Sequence, residues 1–202
     1  MEYNMEIINN YLNSIKNMSE KDKEHTHRSA LENLLNEIKE HTGNNSKAGM
    51  FAKIKIVHEP NNDKEGRGAP DFRFEINSLI LGYIENKRVN ANLDEVIKSE
   101  QIKKYLELND NIIITDYLRF IRIDKNGNIT SEVRLCELSE LKNYNKAFMQ
   151  SKQLNLKEKA NKLFEIFELF LSCKPQPINT ALKFADALAR RTRILKDSLL
   201  EM

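Results

Sequence analysis

Asp71, Glu85 and Lys87 are the residues of this chain whose types and spacing can do chemistry together. Two carboxylates offer hard oxygen ligands to a divalent cation such as Mg2+, which keeps several waters and needs only one or two of them. An ammonium beside them can orient or help deprotonate a water and offset charge that develops on a reacting anion. All three lie in GAPDFRFEINSLILGYIENK, residues 68–87. Its apolar runs, 72–76 and 79–84, are short and β-rich and are joined by Asn77-Ser78, the pattern of a hairpin or of two neighbouring strands. Side chains alternate along a strand, so Glu85 and Lys87 project to one side, Asn86 points to the other, and Asp71 stands at the mouth of the preceding strand. Two acids and a lysine then converge at a sheet edge.

Those strands need partners and cover, and the rest of the chain supplies both. Ile7, Ile8, Tyr11, Leu12 and Ile15 follow the rhythm of an amphipathic helix from Glu2 to about Lys16, and a second helix is predicted from near Thr26 to His41, stopped by Gly43-Asn44-Asn45. FAKIKIV within residues 50–57 alternates as a strand, and EPNNDKEGRG, residues 59–68, has the composition of a loop. Beyond the hairpin a helix is predicted from an Asp94 N-cap to about Leu108, with Gln101 and Tyr105 stacked at i, i+4. Strands follow at residues 111–115 and 117–123, and Lys125-Asn126-Gly127-Asn128 turns into another at 129–135. A helix at 154–171, broken by Lys174-Pro175-Gln176-Pro177, and a last helix at 179–200 bearing Arg190, Arg191, Arg193 and Lys196 complete the chain.

At 202 residues the chain suits one domain with a helical appendage, and 40% hydrophobic with 31% charged residues is the composition of a globular protein. A net charge of +2 means that any nucleic-acid surface must come from local asymmetry. Cys136 and Cys173 are isolated, which speaks against a zinc site or disulfide framework and fits a cytoplasmic location. No run is apolar and long enough to span a membrane.

The order helix, strand, strand, strand, helix, strand, with Pro70-Asp71 and Glu85-Asn86-Lys87 at its signature elements, resembles the PD-(D/E)xK nuclease superfamily. The resemblance implies an α/β fold with a restriction-endonuclease-like core, a central mixed β-sheet flanked by helices, and a helical C-terminal extension. It implies Mg2+-dependent hydrolysis of DNA phosphodiesters, with Mn2+ as a substitute. Asp71, Glu85 and the backbone carbonyl of Asn86 would be the metal ligands and Lys87 the residue handling the water. Gln101 and Tyr105 match a Q-x-x-x-Y accessory motif that the family places beside the metal. Glu24, preferred to Glu32, would be the upstream helical acid that holds a second metal.

A narrower resemblance covers EHTHRSALENLL at 24–35, HEP at 58–60, GAPDF, GYIENK, EQIKKYL at 100–106 and NIIITDYLRF at 111–120. These strings are similar to the N-terminal nuclease domain of Type ISP and related single-chain restriction–modification enzymes. On that resemblance residues 1–150 are the nuclease domain and 151–202 a helical connector, the substrate is double-stranded DNA, and helicase and methyltransferase modules lie in the same or a partner chain. Arg88 departs from the acidic residue that the group often carries after the lysine.

Several of these residues also have plainer readings. Glu85 and Lys87 can form a solvated edge-strand pair, and Tyr105 can be a packing residue. His25-x-His27 is compatible with metal but lacks further His or Cys nearby for zinc. Arg67, Lys87, Arg88, Lys98, Lys103 and Lys104 are candidates for phosphate contacts or for a solvated face. The rival functions are a repair or junction-resolving nuclease and an inactive DNA-binding module of the same fold.

Overall fold

A computed structural model describes residues 2–45, 51–58, 69–77, 79–143 and 146–175, with helical positions at Phe184, Ala185, Leu188, Ala189 and Thr192. The elements in order are α1 (Glu2–Ser14), α2 (Arg28–Asn45), β1 (Ile54–His58), β2 (Phe72–Ile76), β3 (Leu79–Asn86), α3 (Leu93–Ile97), α4 (Glu100–Leu108), β4 (Ile112–Thr115), β5 (Arg119–Ile123), β6 (Ile129–Arg134), α5 (Leu138–Lys142) and α6 (Lys146–Leu171). The strands form one six-stranded sheet in the order β1-β2-β3-β4-β5-β6. Neighbours are antiparallel except β3 and β4, which run parallel. A parallel pair needs a crossover, and α3 and α4 make it. The result is the expected α/β architecture, a mixed sheet flanked by helices with further helix toward the C-terminus.

Each face of the sheet buries its own core. Ile8 and Leu12 of α1, Ile15 just beyond it, Leu31, Leu35 and Ile38 of α2, and Leu163, Phe167 and Phe170 of α6 pack with Phe72, Phe74, Ile84, Ile113 and Phe120. The rings of Phe74 and Phe170 meet edge to face at 5.1 Å, and those of Phe120 and Phe167 at 6.2 Å. On the other face Leu93, Ile97, Ile102 and Tyr105 cover Ile112, Ile114, Ile121 and Ile123. The alternation in β4, with Ile113 in one core and its two neighbours in the other, is the period of a strand buried on both faces. Position 150 falls within α6, whose side chains from Leu156 to Leu171 contribute to the first core.

Local chemistry moves several boundaries. Asn92 rather than Asp94 caps α3, accepting from the Glu95 N–H at 3.3 Å, while Asp94 sits in the first turn and pairs with Arg119. The single helix predicted to Leu108 is two, because Ser99 takes an extended backbone and caps α4 through the Ile102 N–H. Residues 51–53 form a 3-10 turn ahead of β1. Gly43 does not stop α2, which continues to Asn45, since a glycine in a last helical turn costs only about 1 kcal/mol. Tyr117 and Leu118 form a turn instead of opening β5, and Tyr117 has a φ of 74°. The short α5 follows Glu137, whose N–H donates to Glu140 at 3.0 Å. Most of the predicted last helix, including Arg190, Arg191, Arg193 and Lys196, lies outside the described residues, as do the loop 59–68 and Arg67. Among the described residues no helix is long and apolar enough to cross a membrane.

Candidate active site

The carboxyl end of β3 delivers Glu85, and the strand alternation sends it and Lys87 to the α4 side while the Asn86 side chain faces the turn before α2. Lys87 extends the ladder through its N–H to the Thr115 carbonyl at 2.8 Å, so its backbone is fixed one residue beyond β3. The Lys87 Nζ donates to Glu85 Oε1 at 2.7 Å and to Gln101 Oε1 at 3.2 Å. The Gln101 amide donates in turn to Glu85 Oε1 at 2.9 Å and to the Tyr105 hydroxyl at 2.9 Å. The i, i+4 spacing on α4 therefore places Gln101 and Tyr105 against the strand acid. Tyr105 is fully buried, with its ring 6.1 Å from that of Tyr83.

Asp71 stands immediately before β2 and reaches across to β3. Its Oδ2 accepts the Asn86 N–H at 2.7 Å, and its Oδ1 accepts from the Arg28 guanidinium. Glu24 lies in the turn ahead of α2 instead of on a helix, with its carboxylate 4.0 Å from the Lys87 Nζ. Its backbone carbonyl accepts from the Tyr117 hydroxyl and from Asn86 Nδ2 at 3.3 Å, and Asn86 Nδ2 also donates to the Tyr117 hydroxyl at 3.0 Å. All six candidate side chains, together with Asn86, thus belong to one linked cluster at the end of the parallel strands. Glu32 is elsewhere, paired with His58 at 3.2 Å, and that imidazole stacks on Phe72.

Burial sets the electrostatics. Removal from water, followed by the Asp71 charge, pushes the Glu85 carboxyl up to about 7 against the opposing pull of Lys87. Asp71 is also raised, by burial first, with the Asn86 N–H and Arg28 resisting. Burial lowers the Lys87 ammonium, but Glu85, Glu24 and Asp71 outweigh it and hold Lys87 above its ordinary value. In this arrangement Lys87 is a firm cation and Glu85 the group poised near neutrality. Burial and Glu85 together keep the Tyr105 hydroxyl protonated.

Two residues escaped the sequence reading. Arg28 is 4% exposed, and the signal for it was its place on the buried stripe of α2, in register with Leu31, Leu35 and Ile38. Tyr117 is 1% exposed in a left-handed conformation that a bulky side chain rarely adopts. Asp71 also belongs to a group of side chains that could hold a metal ion. One atom each from Glu24, His25 and Asp71 lie within 4.8 Å of one another. His27 turns away, 2.9 Å from Asp22 and edge-on to Tyr117. Lys98 and Lys103 pair with Glu95 and Glu100 on the exposed surface of α3 and α4.

No family model matches the chain, and no curated protein matches it. Among solved structures it is similar to a chain of the DrdV–DNA complex determined by cryo-electron microscopy, at 18% identity and a TM-score of 0.57. The similarity covers 85% of this chain and 14% of that one, so the present chain spans about a seventh of its structural relative. At that identity the likeness is one of fold.

Proposed function

We propose that this chain is a metal-dependent endonuclease of the PD-(D/E)xK kind, the nuclease module of a restriction–modification enzyme, hydrolysing phosphodiesters of double-stranded DNA. The observation that carries the reading is the state of Glu85. Its Oε1 is clamped by Lys87 and Gln101, while Oε2 is buried without a hydrogen-bond partner among the described residues. A buried, unpartnered carboxylate oxygen is costly unless something binds it. The oxygens of Asp71, Glu85 and the Asn86 carbonyl fit a hard cation such as Mg2+ or Mn2+. The fold shared with a chain of a DNA complex, and its small share of that chain, agree with a module that works beside others such as helicase or methyltransferase units.

Asp71, Glu85 and the Asn86 carbonyl would hold the ion, which when bound neutralises the scissile phosphate and acidifies a water. Gln101 and Lys87 fix the plane of the Glu85 carboxylate, so the free oxygen is aimed before any ligand arrives. Lys87, kept charged by three acids, offsets negative charge on the phosphorus-centred transition state and orients the water by donation. Tyr105 and Gln101 close the cluster on the α4 side against bulk water.

The test is cleavage of supercoiled DNA by Lys87→Ala and Asp71→Asn, the latter leaving an oxygen for Arg28. Mg2+-dependent nicking should fall about a hundredfold or more in each, with circular dichroism unchanged. Retained cleavage in both variants overturns the reading. Comparing linear, branched and methylated DNA then separates a restriction module from a junction-resolving one.

A further inference from the structure

We infer that His25 is a metal ligand, and that Glu24, His25 and Asp71 together form a mixed carboxylate–imidazole position that takes a first-row divalent transition metal in preference to Mg2+. The inference rests on the reading of Asp71 as a metal ligand and specifies the metal class of that same site. Its geometric basis is that one ligand atom from each of the three residues falls within 4.8 Å of the other two, close enough for one ion to touch all three. Glu85 Oε2, on a residue 2% exposed, adds a buried oxygen without a partner in the same charged cluster, where Lys87 bridges Glu85 at 2.7 Å and Glu24 at 4.0 Å.

Preorganisation favours the assignment. The peptide that joins Glu24 to His25 has its carbonyl held by the Tyr117 hydroxyl and by Asn86 Nδ2. Both side chains therefore leave a backbone that is fixed from the sheet side, and Asn86 is itself tied by its N–H to Asp71. One hydrogen-bonded unit thus ties the backbone that carries Glu24 and His25 to the Asp71 carboxylate. The two histidines of the EHTHR string part company here. His27 is engaged by Asp22 and Tyr117, whereas no hydrogen bond or ion pair occupies the His25 imidazole among the described residues. An imidazole nitrogen discriminates between metals in a way that carboxylates do not. Mg2+ demands oxygen ligands and keeps its waters, while transition ions accept nitrogen readily.

The full chain loaded with Mn2+ provides the test. Pulsed electron paramagnetic resonance should show an imidazole nitrogen coupled to Mn2+, shifted as expected on 15N-histidine labelling, lost in His25→Ala and kept in His27→Ala. By calorimetry, His25→Ala should weaken Mn2+ binding about tenfold or more and leave Mg2+ binding nearly unchanged, since even indirect partners of a metal cost about 10–100-fold. His25 is exposed, so its replacement leaves the fold intact, which a thermal melt verifies. Mn2+ bound without nitrogen coupling, but lost in Asp71→Asn and Glu85→Gln, overturns the His25 assignment alone. Nitrogen-coupled Mn2+ that survives both of those variants overturns the placement of the metal at Asp71.

Discussion

The Arg28 guanidinium and the Asp71 carboxylate form an ion pair across 43 residues of sequence, with side chains only 5% and 10% exposed. It ties the start of α2 to the mouth of β2. A dication at Asp71 would share a carboxylate already neutralised by a fixed charge, so the metal-free protein carries its own counter-ion. Arg28→Ala leaves that buried acid without its guanidinium partner, and the expected loss in chelator is about 3–5 kcal/mol. Divalent metal should recover part of it. Thermal unfolding with EDTA and with Mn2+ reads both effects, and an unchanged Tm in EDTA would count against the pair.

Glu85 makes stability depend on pH in the direction opposite to most paired acids. Its native value of about 7 lies above the ordinary 4.5, so the folded state binds the proton more tightly than the unfolded state. The contribution is fully present below about 4.5 and is lost as pH rises through about 7, on the order of 3 kcal/mol in the metal-free protein. Asp71, also raised, acts with the same sign. Chemical unfolding in EDTA at pH 5.5 and pH 8.5 should show the lower pH favoured, and Glu85→Gln should flatten the difference. A slope identical in both proteins would remove Glu85 as its source.

Tyr117 holds a strained backbone in place with its side chain. Its N–H donates to Thr115 Oγ1 at 3.0 Å, its carbonyl accepts from the Tyr11 hydroxyl at 2.8 Å, and its own hydroxyl holds Glu24. Tyr117→Phe keeps the packing and the φ but deletes the hydroxyl. The expected cost is about 1–2 kcal/mol, with faster amide exchange confined to residues 19–28. Exchange that quickens evenly through the sheet would mean that the hydroxyl does not anchor this turn.

Gly82 is required by close approach. A Cβ there would stand 2.5 Å from the Asn111 carbonyl oxygen and 2.7 Å from the Phe170 ring. Asn111 cannot retreat, because its amide bridges Leu81 and Phe170 carbonyls at 3.1 and 2.9 Å. Gly82→Ala should cost about 1–3 kcal/mol in urea unfolding. A wild-type midpoint would show that α6 can shift away at no cost.

What the sequence revealed depended on range. GYIENK disclosed β3 and the divergence of Glu85 and Asn86, because strand alternation is a local rule. The Gln101–Tyr105 pair was legible for the same reason on α4. Arg28 could be suspected from its helical stripe, yet nothing local announces a partner 43 positions away. The resemblance favoured Glu24 over Glu32, and the structure separates them by partner, Glu24 facing Lys87 and Glu32 pairing with His58. The α3–α4 break turned on a contest among capping side chains, Asn92 and Ser99 against Asp94, decided by which backbone positions tertiary packing leaves extended. The positive φ of Tyr117 had no sequence signal, since it is imposed by the bonds that surround it.

The parallel pairing of β3 with β4 sets Glu85 opposite Ile114 and Asn86 opposite Thr115. Because side chains change face at every step, a slip of one position would turn the Asn86 amide toward Gln101 and drive the Glu85 carboxylate under Tyr117. Length changes in the segment between Asn90 and Asn92 can be taken up by the chain outside the helices. A single insertion between Gly82 and Asn86 cannot, since it exchanges the two faces at once. The tolerance of this protein to insertions should therefore change abruptly within a few residues of its acids.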